Sequence, residues 1–207
     1  MSPRARSCLI LLNGDIPEGG AVRAWARRAS RLICADGGAR HAIRLRLKPD
    51  FVVGDMDSLP HPLPRWERTV YWCDFDEDLS DFEKALRFAK DIGCRRVFAA
   101  GVLGGRMDHA LVNLALIERY SARLEIVLID RGAARLLGPG RHRFSLRRGA
   151  TFSVLAAPRA VVTLAGARYP LKRIALEMGS RGLSNRAEGR VSLTVHRGRA
   201  WFMLPEG

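Results

Sequence analysis

Short apolar runs alternate with amphipathic stretches through the first two-thirds of this chain. CLILLN (8–13) is an apolar run that closes at Gly14-Asp15, the pattern of a strand buried on both faces. A helical stretch from Glu18 to Arg28 follows, then RLICA (31–35) as a strand and ARHAIRLRL (39–47) as a helix. FVV (51–53), TVYWC (69–73), RVFAA (96–100) and EIVLI (125–129) continue the strands, with amphipathic helices at Asp81–Ile92 and Asp108–Tyr120 between them. Strands and helices in this alternation predict a mostly parallel sheet covered by helices.

After about Gly132 the rhythm changes. Turn signals at 138–140, 147–149, 157–158, 165–166, 179–182, 188–189 and 197–198 punctuate short β-branched or aromatic runs: RFSL, TFSVLAA, AVVTLA, RVSLTV and AWFML. That pattern predicts a small all-β sandwich. The expected organisation is an α/β domain over 1–132 followed directly by a β-sandwich domain over 133–207.

Composition changes this picture little. Hydrophobic residues at 47% and charged residues at 27% are ordinary for a globular protein of 207 residues. No apolar run reaches the length of a membrane span, and MSPRARS is followed by no export-signal core, so a cytoplasmic protein without membrane contact is expected. The four cysteines lack CxxC spacing and read as reduced thiols. A net charge of +14 raises the question of nucleic acid. Only four of the 35 basic residues are lysines, however, and no aromatic-basic RNA-binding motif is present, so none is expected as a partner.

The chemistry concentrates at strand ends. RLICA runs into ADGGA (35–39), FVV into GDMDSL (54–59), TVYWC into DFDEDLSD (74–81) and RVFAA into GVLGGRMDH (101–109). Ligands of open α/β sheets collect at the carboxyl ends of the strands, so the convergence weighs more than any single motif. Mg²⁺ prefers oxygen ligands, and proteins often supply one or two carboxylates while phosphates and waters complete the shell. Asp55 and Asp57, two apart in an extended segment, can face one ion, and Asp74, Asp76, Asp78 and Asp81 add carboxylates from the next strand end. The other reading of such loops is turn formation and capping: Ser80-Asp81-Phe82-Glu83 fits a capping box. In GGRMDH, Gly104 and Gly105 permit close backbone approach to a phosphate, and Arg106 offers a rigid fork for its oxygens. Asp108 can cap the following helix, act on a substrate, or do both. Walker A and GxGxxG signatures are absent.

Taken together, ADGGA, PD…GDMDS (49–58), D-x-D-x-S-D-x-x-K-A (76–85) and GGRMDHALVN (104–113) resemble the thiamine pyrophosphokinase family in order and spacing. SN (184–185) followed by VSLTV…WFML is similar to that family's thiamine-binding β-domain, so the resemblance runs over nearly the whole chain. It implies transfer of diphosphate from ATP to the hydroxyl of thiamine, with Mg²⁺, by a homodimer holding thiamine near the subunit interface. It implies Asp55, Asp57 and Asp81 at the metal, with Asp76 beside them. Asp36, Gly37, Gly38, Gly104 and Gly105 would border ATP, while Arg106, Asp108 and Asp78 would act on the reacting groups. Ser184, Asn185 and Trp201 would meet thiamine, with Trp201 either stacking on the cationic ring or packing in the last hairpin. Two departures stand out: Ser80 where the family often has Thr, and Arg186 where an acidic residue is common. Rival readings are a pyrophosphokinase for another hydroxymethyl heterocycle such as a pterin, a Mg²⁺-dependent phosphohydrolase, and a basic nucleic-acid-binding module.

Overall fold

A computed structural model describes residues 6–16, 20–63 and 65–205. The chain divides after Asp130 into two compact units.

The first unit holds β1 (Ser7–Leu11), α1 (Gly20–Arg28), β2 (Arg31–Ala35), α2 (Ala39–Arg44), β3 (Phe51–Gly54), β4 (Val70–Cys73), α3 (Asp81–Asp91), β5 (Arg96–Ala100), α4 (Met107–Tyr120) and β6 (Glu125–Leu128). Every expected strand of this unit is present to within a few residues. The predicted start of the first helix, at Glu18, lies outside the described residues. The second helix ends at Arg44 rather than Leu47, because Arg46 takes φ +53 and turns the chain.

The strands lie in the order β6-β5-β1-β2-β3-β4, with β1 parallel to β2 and β5 and the outer pairs parallel as well. Alternation along each strand divides the core. Leu9, Leu11, Leu32, Cys34, Val52 and Phe98 face Val22 of α1 and Ala39 and Ala42 of α2. On the other face Phe51 packs edge-on to Phe88 of α3, with ring centroids 4.8 Å apart. Helices therefore cover both faces, and the strands can be apolar on both. Chain order reverses between β1 and β5, which opens a crevice at the carboxyl ends of the strands.

Ser80 caps α3, its Oγ accepting from Glu83 N at 3.4 Å. The reciprocal half of the predicted capping box is not made. Glu83 is buried and instead accepts from Tyr120 Oη at 2.9 Å and pairs with Arg119 at 3.1 Å, tying α3 to α4.

Among the described residues the second unit contains strands and no helix: β7 (Gly132–Leu137), β8 (Gly140–Ser145), β9 (Thr151–Ala167), β10 (Leu171–Glu177) and β11 (Asn185–Pro205). Four expected punctuation points, at 157–158, 165–166, 188–189 and 197–198, fall inside the long strands β9 and β11. Arg190–Val195 of β11 pair with β8, and Ala200–Pro205 pair with β7. Between them Gly198 takes φ +76, and a Cβ there would sit 2.0 Å from the Arg159 carbonyl oxygen, so the chain bends without reversing. β9 runs alongside β11 in the opposite sense, with Leu193 opposite Leu164 and Phe202 opposite Val154. The core centres on Phe202, stacked on Phe144 at 3.7 Å and near Phe152 at 5.3 Å.

Charge is divided unevenly. Arginines occur throughout, but residues 131–207 hold 15 of the 35 basic side chains and only 3 of the 21 acidic ones. Nearly all the net positive charge is therefore in the second unit, and the first keeps the carboxylates.

Ile33, fully buried in β2, is a sensitive probe of the parallel core. Ile33→Ala is expected to cost about 2–5 kcal/mol in urea unfolding. A cost near zero would mean that this strand is not packed on both faces.

Candidate active site

The strand ends assemble one acidic cluster. Asp36 follows β2 in a short 3-10 turn and is fully buried, with a strained φ of +36. Asp55 follows β3, and Asp57 follows two residues later. One carboxylate oxygen from each of Asp36, Asp55 and Asp57 lies within 4.8 Å of the others. Gly54 makes this approach possible: a Cβ there would stand 2.7 Å from Asp36 Cβ and 2.9 Å from Asp81 Oδ1. The same contact places Asp81, at the start of α3, beside the cluster.

Hydrogen bonds satisfy this group only in part. Asp36 Oδ2 accepts from Ser58 N at 3.2 Å, while its buried Oδ1 has no partner among the described residues. Asp55 Oδ1 accepts from Asp57 N at 3.2 Å, and Asp57 Oδ1 accepts from Ser58 Oγ at 2.8 Å. Lys84, only 2% exposed, reaches Asp55 Oδ2 at 3.4 Å and Asp81 Oδ1 at 4.0 Å. Sequence reading left Lys84 without a role. Its signal was present in the K of D-x-D-x-S-D-x-x-K-A, one helical turn after Asp81 and so on the same face.

Burial first, then the charges of Asp81 and Asp55, push the Asp36 pKa up to about 7 against the pull of the Ser58 amide. Asp81 is also raised, by burial and then by Asp55, with Lys84 opposing. For Asp55 burial acts upward, but the Asp57 amide and the Lys84 charge outweigh it and the net shift is down. Crowded carboxylates with an unpartnered buried oxygen are a mismatch that a hard cation resolves. The all-oxygen donor set fits Mg²⁺.

The remaining acidic candidates stand apart. Asp74 Oδ1 accepts from Asp76 N and Asp76 Oδ1 from Asp78 N, both at 3.1 Å, a ladder of local turns. Asp76 and Asp78 are exposed, and Asp76 lies 3.9 Å from Arg87. The structure does not bring them into the cluster of Asp36, Asp55 and Asp57.

The glycine loop after β5 borders the same carboxyl edge. Gly104 and Gly105 adopt φ +82 and +66. Arg106 and Asp108, both exposed, form a two-pronged pair at 3.1 and 2.5 Å. That fork, helped by the His109 amide, holds the Asp108 pKa down to about 2. Gly37 is buried against the Asn13 side chain and Gly38 against β1; a Cβ on Gly38 would meet the Leu11 carbonyl oxygen at 2.0 Å, so this glycine serves close packing. Asp130, in the sequence only the polar end of an apolar run, is buried here and binds the glycine loop.

In the second unit Asn185 is 3% exposed and spends its amide on backbone. Its Oδ1 accepts from Tyr169 N at 3.1 Å and Arg186 N at 2.8 Å, and its Nδ2 donates to Tyr169 O at 2.8 Å. Ser184 is exposed with φ +53. Trp201 is 7% exposed and points to the opposite side of β11 from Ala200 and Phe202, which fill the β-core.

Comparison with known proteins bears on this geometry. The model of the thiamin pyrophosphokinase catalytic domain matches residues 22–128. Thiamine pyrophosphokinase 2 of Arabidopsis thaliana is 27% identical, covering 84% of this chain and 76% of its own length. Thiamine pyrophosphokinase 1 of Oryza sativa subsp. japonica is 26% identical, covering 84% and 77%. The fold is similar to the crystal structure of thiamin pyrophosphokinase from Geobacillus thermodenitrificans, with a TM-score of 0.83, 23% identity and coverage of 97% and 98%. It is also similar to that of the Candida albicans thiamin pyrophosphokinase, with a TM-score of 0.83, 15% identity and coverage of 98% and 90%.

The raised Asp36 pKa carries a pH signature in metal-free protein. The unfolded chain releases this proton near the ordinary value of 3.8, whereas the folded chain keeps it to about 7. Between those values the unfolded state binds fewer protons, so stability falls as pH rises and levels off above about 7. Asp36→Asn removes that slope. In EDTA the variant is expected to gain on the wild type by a few kcal/mol between about pH 4 and pH 7.5, and added Mg²⁺ should restore the wild type selectively. Parallel stability curves for the two proteins would contradict the assignment.

Proposed function

The chain belongs to the thiamin pyrophosphokinase family, and from that premise we propose that its acidic cluster is where diphosphate passes from ATP to thiamine. The enzyme is an ATP-dependent thiamine diphosphokinase. Its reaction joins the thiamine hydroxyl oxygen to the β-phosphorus, breaks the bond from the α-phosphate's bridging oxygen to that phosphorus, and releases AMP and a proton.

The observation that carries the siting is the fully buried Asp36 carboxylate, which has one unpartnered oxygen and lies within 4.8 Å of the carboxylates of Asp55 and Asp57. With Asp81 these carboxylates would hold Mg²⁺, which when bound neutralises phosphate charge. Lys84 keeps Asp55 ionised and therefore able to ligate. Gly104 and Gly105 let phosphate oxygens approach the backbone, and Arg106 binds those oxygens with a planar fork. Asp108 accepts a hydrogen bond from the thiamine hydroxyl and orients it. A carboxyl held down to about 2 is a weak base, so orientation rather than proton abstraction is its contribution. Asp76 and Asp78 lie in the exposed ladder outside the cluster, where they would meet the incoming nucleotide. Catalysis of this kind depends on positioning and charge.

For the acceptor, Trp201 is proposed to stack on the cationic ring of thiamine, since it points away from the β-core. Asn185 would act by shaping the Tyr169 backbone beside Ser184. A homodimer with thiamine near the subunit interface and a cytoplasmic location complete the proposal. No described helix is long and apolar enough to cross a membrane.

Incubation with ATP and Mg²⁺, with and without thiamine, tests the reading directly. AMP is expected only when thiamine is present, together with a product of the mass of thiamine diphosphate. AMP or phosphate release without thiamine would overturn it, and turnover on a hydroxymethylpterin in place of thiamine would move the acceptor. Asp108→Asn is expected to lower kcat roughly 100-fold while changing the KM for ATP little. Loss of ATP affinity at unchanged kcat would remove the proposed role.

A further inference from the structure

Residues 101–105 lead from β5 to Arg106 and the start of α4. In their first three residues every backbone polar group is engaged. The Asp130 carboxylate, only 4% exposed, accepts from Gly101 N at 2.6 Å and Val102 N at 3.4 Å through Oδ1. Its Oδ2 accepts from Leu103 N at 2.8 Å. The carbonyls are taken too: Gly101 O by Gly14 N at 3.0 Å, Val102 O by Asn113 Nδ2 at 3.0 Å, and Leu103 O by Asp15 N at 3.0 Å. The clamp stops there. The amides of Gly104 and Gly105 donate to no other described residue, and both glycines have positive φ. Gly104 is pressed against the Asp15 side chain, where a Cβ would fall 2.6 Å from Oδ2. Free amide donors therefore begin where the clamped segment ends.

Resting on the diphosphate-transfer reading, we propose that Asp130 is a positioning residue for that reaction. It fixes residues 101–103 so that the Gly104 and Gly105 amides and the Arg106 guanidinium are already aimed at the anionic phosphates of ATP. The residue type follows from the geometry. Both oxygens must accept, because Gly101 and Leu103 present N–H groups to opposite sides of one carboxyl group. An asparagine would turn an NH₂ group toward one of those amides, leaving two donors face to face and a buried N–H unpaired. Three amides point at the buried carboxylate and offset part of the cost of burying its charge, although burial still raises its pKa. Asp130 itself touches neither the acidic cluster nor the Arg106–Asp108 pair, so it acts on the phosphates through the loop.

Steady-state kinetics of wild type, Asp130→Asn and Val97→Ala test this, the last a buried β5 control for general loss of stability. Asp130→Asn is expected to lower kcat/KM for ATP at least about tenfold while moving the KM for thiamine less than about twofold. Val97→Ala should leave both near wild type at a similar fall in Tm. Should Asp130→Asn fail to fold, Asn113→Ala releases Val102 O from the same clamp without uncovering a charge, and should shift the ATP parameter in the same direction. ATP kinetics of Asp130→Asn or Asn113→Ala that match the Val97→Ala control would overturn the inference. A wild type without thiamine-dependent AMP release would instead defeat the reading on which it rests.

Discussion

The structure of the first unit is organised around an electrostatic debt. Asp36 is fully buried with one oxygen unpartnered, and Asp55, Asp57 and Asp81 stand close to it. Among the described residues one buried lysine, Lys84, faces these acids, which leaves their charge undercompensated. A fold would relax such an arrangement by turning a side chain to water. Here the positive φ of Asp36 and the absence of a side chain at Gly54 hold the carboxylates together. A divalent cation carrying phosphate oxygens would relieve the repulsion and fill the coordination shell at once, which would make metal and nucleotide binding one event.

A parallel sheet makes that concentration possible. The strands of the first unit point the same way, so the loops after β2, β3, β4 and β5 meet on one edge although they are far apart in sequence. The same geometry explains a division of labour. Loops after β2 and β3 supply carboxylates, and the loop after β5 supplies glycines and an arginine, so the proposed metal ligation and phosphate contact would fall to different loops. Buried anchors on neighbouring elements, Asn113 on α4 and Asp130 past β6, hold the glycine loop from behind.

Much of this was legible in the sequence because parallel strands and turn glycines leave strong local marks. RLICA and RVFAA coincide with β2 and β5, and the Asp-Gly loops lie where strand-end reasoning puts them. What escaped depends on contacts between residues distant in sequence. The motif places Lys84 on the face of Asp81, but its contact with Asp55, 29 residues away, appears only once α3 is packed. Asp130 reads as the end of a strand until its oxygens are found against amides nearly 30 residues earlier. In the second unit, β7 and β10 carry Arg and Lys within short runs and give no clear period. β9 and β11 look like several strands because Pro158 and Gly198 signal turns where the chain only bends. Asn185 was singled out, but its internal bonding to Tyr169 was beyond sequence reasoning.

Mn²⁺ binding followed by electron paramagnetic resonance reports whether the carboxylates after β2 and β3 hold the metal–nucleotide complex. The titration is run with α,β-methylene-ATP, in which the bond broken by diphosphate transfer is replaced. The wild type is expected to bind Mn²⁺ with the analogue as a ternary complex, and Asp55→Asn to weaken that complex at least about tenfold. Equal Mn²⁺ affinity in the two proteins would place the metal away from Asp55.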